Sequence, residues 1–240
     1  MDELVENLAS DILQGNLETG VLRVLEALNQ LPHTPYHVAT SLAFSNDPKD
    51  VAVSLDRFLE TQSKKFSVGA VYTETNGFYI NPDRWYFDWF GYEAYGGVED
   101  TDWLAYWASK PEAEETLTGM EELQRVYEYH HNVPGSENVQ RAQRLCDWLV
   151  VLRFQQLIQR SAPLSFRLAV PLLATAHEFD LFYVYRPPSW SEPTTLPPVQ
   201  PLTDPLVCLL HSTHSSFHGD PARVVGGHGA TTDAETEGDG

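Results

Sequence analysis

Covalent reinforcement is almost absent from this chain. It has only two cysteines, Cys146 and Cys208, too few for a disulfide framework, so the fold has to be held by its core. Positive charge is also scarce. Fifteen Lys and Arg stand against 34 Asp and Glu in 240 residues, a formal net charge of −19. A field of that sign repels phosphate and argues against nucleic acid and anionic lipid as main partners. Long apolar runs are missing too: none reaches the ~18–20 residues a membrane span requires, so no membrane association is expected. The start, Met1-Asp2-Glu3, is acidic where a secretory signal begins with basic residues, and a cytoplasmic location is the expectation.

Catalytic signatures are equally sparse. There is no G-x-x-x-x-G-K-[ST] loop, no G-x-G-x-x-G after a strand, no G-x-S-x-G elbow and no H-E-x-x-H. His177-Glu178 begins like the last of these, but Leu181 stands where its second histidine belongs. Paired C-x-x-C motifs are absent, and no internal repeat is visible. No cofactor is implied. These absences favour a non-catalytic protein.

Composition divides the chain near Arg186. Residues 187–240 hold eight of the 16 prolines and end in a small, acidic, glycine-rich stretch. Such a segment buries too little apolar area to offset its ordering entropy, so it is expected to be mostly disordered. An apolar patch, Leu206-Val207-Cys208-Leu209-Leu210, interrupts it, and Cys208, His211, His214 and His218 follow with metal-like spacing but no evident scaffold. We therefore assign no metal site. Residues 1–186 form the expected globular domain, which retains a net charge of −13.

Within that domain, helical spacing of Leu4, Val5, Leu8 and Ile12, and again of Val21, Leu22, Leu25 and Leu28, predicts two helices before Pro32. Tyr36–Phe44 reads as a strand. Asn46-Asp47-Pro48 offers an N-cap for a third helix through Leu59. Asn76-Gly77 between β-rich runs Phe66–Thr75 and Phe78–Ile80 predicts a type I′ hairpin. Helices are expected over Pro111–Asn132, closing on His130-His131, and from Ser136 or Glu137 to Arg160. The second should be the most buried, because Trp148-Leu149-Val150-Val151-Leu152 is apolar on every side. Phe166–Ala176 and Leu181–Tyr185 read as strands joined by a turn at His177–Asp180. The expected fold is α+β, a small, mainly antiparallel sheet with helices on one face.

The densest feature is Trp85–Tyr95, where seven of eleven residues are aromatic. It overlaps the most acidic window: ten carboxylates and one base lie between Asp88 and Glu122. Aromatics occupy both strand parities, so they cannot share one core face; some must pack under another element or stand exposed. Exposed rings beside acids would make a protein-binding patch. Its candidate residues are Trp85, Tyr86, Trp89, Tyr92, Tyr95, Asp88, Glu93, Glu99, Asp100 and Asp102, and its expected partner is a basic protein such as a toxin or nuclease. The alternative is a carbohydrate-like ligand or a hydrolase, with rings stacking on sugars and Asp88, Glu93 or His177 in acid/base roles.

Overall fold

In the computed structural model, residues 2–76, 81, 83–109, 115–133 and 135–191 are described. Five helices, α1 (Asp2–Leu13), α2 (Leu17–Asn29), α3 (Pro48–Gln62), α4 (Glu121–Asn132) and α5 (Glu137–Ser161), accompany five strands: β1 (Ala70–Thr75), β2 (Tyr86–Tyr92), β3 (Glu115–Thr116), β4 (Leu172–Ala176) and β5 (Tyr183–Tyr185). The strands form one sheet in the order β3-β2-β1-β4-β5. Three of its four pairings are antiparallel; β1 and β4 run parallel, which makes the sheet mixed. The α+β expectation holds. Among the described residues no helix is long and apolar enough to cross a membrane.

Helix α5 is the axis of the core. Leu149, Val150, Val151 and Leu152 are wholly buried, as are Phe154, Leu157 and Ile158 further along. They pack with Val71, Trp85, Phe87, Trp89, Leu172 and Ala174 from the sheet and with Leu8, Val21 and Leu28 from α1 and α2. One buried polar residue fixes the position of the helix. Gln155 Nε2 donates to Ala174 O at 3.1 Å and to Leu181 O at 2.8 Å, tying α5 to β4 and to the connection that follows it. The expected cap of α3 is present: Asp47 accepts from Lys49 N at 2.9 Å, with Pro48 at the first helical position.

Several expected elements take another form. Tyr36–Phe44 is not a strand; Pro35–Ser41 is a 3-10 helix. Pro35 sits at its start, and Thr34 and His37 close a reciprocal cap in which Thr34 N donates to His37 Nδ1 at 3.0 Å. That local bonding outweighs the loose alternation. The Pro111–Asn132 helix shortens to α4, which starts at Glu121; Glu115–Thr116 instead pairs as β3 against β2, and 110–114 lie outside the described residues. Phe66–Thr75 and Phe166–Ala176 are extended only from Ala70 and Leu172. Before β4, buried Asp56 accepts from Ser165 Oγ at 2.6 Å and Arg167 N at 3.0 Å, folding 165–167 as a loop.

The Asn76-Gly77 hairpin is also corrected. Gly77–Ile80 lie outside the described residues, but β1 already has β2 on one side and β4 on the other. Thr75 faces Phe87, and Asn76 N donates to Tyr86 O at 3.2 Å. The antiparallel partner of β1 is therefore 86–92, reached through the ten residues 76–85. At the other end, the packed body runs past Arg186. The ring of Trp190 meets Tyr95 edge-on at 5.5 Å, and Trp190 N donates to Pro187 O at 2.9 Å. From residue 192 onward, the expected disordered tail, its apolar patch and its histidines lie outside the described residues.

Truncating α5 tests this account. Leu152→Ala should cost about 2–5 kcal/mol in urea denaturation, by lost burial and a residual cavity. Phe166→Ala, at a residue 79% exposed, should stay within about 0.5 kcal/mol.

Candidate functional site

Strand β2 sorts its side chains by parity. Phe87 and Trp89, with Trp85 just before the strand, face the helices. Phe90 and Tyr92 face the opposite side of the sheet with Tyr72 of β1 and Leu173 of β4. Among the described residues that second face carries no α-helix; the segment after β2, with a short 3-10 helix at Asp102–Ala105, covers it. Tyr92 and Trp103 meet edge-on with centroids 4.8 Å apart, Tyr95 packs on Trp103 at 5.8 Å, and Trp107 closes on Phe90 at 6.0 Å. Two hydrogen bonds hold the loop: Tyr92 OH donates to Leu104 O and Trp103 Nε1 to Gly97 O, both at 2.9 Å. Its return is fixed by Ala108 N and the Ser109 hydroxyl, which bond Gly91 O and N respectively, both at 2.8 Å. Gly96 permits this packing, because a Cβ there would collide with the Trp103 ring.

The aromatic segment is therefore core. Trp85, Trp89, Tyr92 and Tyr95 are all between 1% and 4% exposed and form no surface patch. Tyr86 is half-buried beneath the Arg84 guanidinium, 5.1 Å from its ring centroid. What reaches solvent is the acidic part: Glu93, Glu99, Asp100 and Asp102 are exposed along the same loop. Asp100 Oδ1 accepts from Asp102 N at 3.0 Å, which fixes the turn between them. Three buried rings thus underlie a short acidic edge.

Asp88 and His177, far apart in sequence, both lie beside Glu74 at the other end of the second face, a residue that sequence reading missed. Glu74 of β1 lies directly opposite Asp88 in the β1–β2 ladder. Tyr72 OH donates to Glu74 Oε2 at 2.5 Å, and His177 Nδ1 stands 3.4 Å from Glu74 Oε1. Two carboxylates facing across a ladder repel, so a hydroxyl and an imidazole at Glu74 relieve a real cost. Hydrogen bonding to Glu74 raises the His177 pKa above its ordinary value, against the opposing effect of burial. Burial, followed by the Glu74 charge, pushes the Tyr72 phenol well up, so that it acts here only as a donor. Glu74 carried a weak signal, being one residue on the parity of Tyr72, but its partners follow only from strand register.

This cluster can exchange a proton. One depression of about 810 Å³ lies between 63–68 and 166–170, and another of about 110 Å³ lies against α3; neither is lined by Asp88, Glu93 or His177. Among the described residues no three His, Cys, Asp or Glu side chains group to hold a metal ion. His130 and His131 end α4, where a helix dipole favours them, and His130 Nδ1 lies 3.0 Å from Val133 O. Burial raises the Cys146 thiol far above its ordinary pKa, leaving it a small core residue.

A chemical-shift titration should place His177 above 6.5, and Glu74→Gln should lower it. Because the folded pKa is the raised one, this pair stabilises the fold fully below the unfolded value and loses its effect as pH rises through the folded value. Stability measured from pH 5.5 to 8.5 should therefore fall more in the parent than in Glu74→Gln. An equal slope would contradict the pairing. No protein-family model, no curated protein and no solved structure matches this chain.

Proposed function

We propose that this protein is a non-catalytic binding domain that engages a basic protein through the acidic edge Glu93, Glu99, Asp100 and Asp102. The observation that carries the reading is the way this edge is held: Tyr92, Tyr95 and Trp103 are buried beneath it, and Asp100 closes its turn. A preorganised row of carboxylates loses little conformational entropy on binding and steers a cationic partner at long range. The aromatics thus contribute as scaffold, with the carboxylates as the contact. Masking of a basic toxin or nuclease, as an immunity-type protein does, is a function of this kind. The carbohydrate and hydrolase alternative is less well supported, because the rings that would stack on a sugar are those filling the core.

Two charge-matched variants test the proposal. E93Q/E99Q/D100N/D102N removes the edge, whereas E3Q/E6Q/E26Q/D50N removes four exposed acids from α1–α3. Basic proteins captured from lysate at low salt, and released at high salt, should be retained by the second variant and bound about tenfold or more weakly by the first. Equal weakening of both would reduce the effect to net charge and overturn the assignment.

A further inference from the structure

The parallel pairing of β1 and β4 leaves a fork at its entrance. Its ladder begins at Val71 and Leu172, and each strand is reached from a different helix: β1 from α3 through 63–69, β4 from α5 through 162–171. Between the two incoming segments lies the depression of about 810 Å³, with Leu59 of α3 in its wall. That volume falls in the range of ligand-sized clefts. Among the described residues it is lined by Lys64, Lys65 and Arg167 and by no carboxylate, in a chain of 15 bases against 34 acids. Phe66, Val68 and Val170 are half-buried in the lining, and Phe166 stands 79% exposed beside them.

The backbone that presents Phe166 is fixed from below. Buried Asp56 accepts from Ser165 Oγ at 2.6 Å and from Arg167 N at 3.0 Å, and Ser165 Oγ accepts in turn from Leu168 N at 3.1 Å. A single exposed apolar residue requires no explanation, but this one adjoins a concave apolar wall ringed by cations. The Arg167 guanidinium lies 5.1 Å from the Phe166 ring centroid and reaches Glu60 Oε2 at 3.3 Å, while Lys64 Nζ stands 3.4 Å from Glu60 Oε1. These contacts are long and exposed. Such pairs are weak and screened by salt, so an incoming carboxylate can exchange with Glu60 at either cation.

We propose that this depression docks a short acidic peptide segment of another protein, one that carries an apolar residue between carboxylates. The apolar side chain lies against Phe66, Phe166 and Val170, and the flanking carboxylates meet Lys64, Lys65 and Arg167. An aromatic ring beside an arginine is a combination in which protein contacts concentrate their binding energy. A basic segment would be repelled by the lining, and a neutral one would leave the cations without a complement. Nucleic acid fits less well, because a polyanion longer than the depression runs on into the field of a −19 chain. None of the acidic-edge residues takes part, so this site stands or falls separately from the binding of a basic protein there.

The test follows the backbone amide signals of 63–68 and 166–170 by NMR in the full chain at low salt. The probe acetyl-Asp-Glu-Phe-Leu-Glu-Asp-amide should shift them saturably with a Kd of about 10–1000 µM, the range open to a small exposed contact. Its Asn/Gln isostere lacks the charge and its Ala-Ala analogue lacks the apolar anchor; each should bind about tenfold or more weakly. Salt at about 0.5 M should weaken the acidic peptide about threefold or more. Phe166→Ala, expected to leave the fold stable, should weaken it about tenfold, and K64Q/K65Q about threefold or more. No saturable shift at these residues would overturn the proposal. So would equal binding of the isostere, or binding of the acidic peptide unchanged in Phe166→Ala. An eight-residue thymidine oligonucleotide binding more tightly at the same signals would overturn it in favour of nucleic acid. Signals of 63–68 and 166–170 that move on dilution of the free chain would assign this face to a second copy and overturn it as well.

Discussion

The central strands β1 and β2 are buried on both faces, and the rest of the structure is arranged around that constraint. Thr73 and Thr75 of β1, with Phe87 and Trp89 of β2, face α3 and α5, while Tyr72, Phe90 and Tyr92 face away from them. The α-helices described cover only one of these sides. The other is closed by 93–109, with its short 3-10 helix Asp102–Ala105, and by 186–190, whose own rings Tyr95, Trp103, Trp107 and Trp190 provide the apolar area. A loop made to serve as a layer of the fold has to be held, and its backbone is pinned at Gly97, Leu104 and Gly91. Aromatic density in this protein therefore measures how much the loop must cover.

Charge follows from the same arrangement. With its rings directed inward, the loop leaves only its carboxylates at the surface, so the acidic window and the aromatic window are two sides of one segment. Where carboxylates lie nearer the sheet, each has a partner that limits its cost. Glu74 has Tyr72 and His177, Asp56 binds the backbone ahead of β4, and Asp147 accepts from Tyr127 OH at 2.6 Å. Gln155 does the same for α5.

Much of the scaffold was legible in the sequence. The two N-terminal helices, the Asp47 cap with Pro48, the buried centre of α5 and the turn at His177 are all produced by interactions within a few residues. Legibility failed where local preferences competed. The alternation of Tyr36–Phe44 resembled a strand, but proline and the Thr34–His37 cap favour a 3-10 helix. Acidic residues ahead of α4 resembled a first helical turn, but Glu115 is drawn into the ladder beside Phe87. Asn76-Gly77 had the right chemistry for a tight turn, yet both sides of β1 were taken by more distant strands.

By itself, the sequence determined the α+β class, the helix-covered core and the placement of acid beside aromatic residues, because periodicity, capping and composition act over short distances. Tertiary structure alone decided which rings would be exposed, since that depends on a second covering layer for which strand parity calls but which it does not specify. It also decided that Glu74 would meet Asp88 and His177, and that Leu59, Phe66, Phe166 and Arg167 would line one depression. These groupings join residues from three or more segments, and only register and packing bring such distant positions within reach of one another.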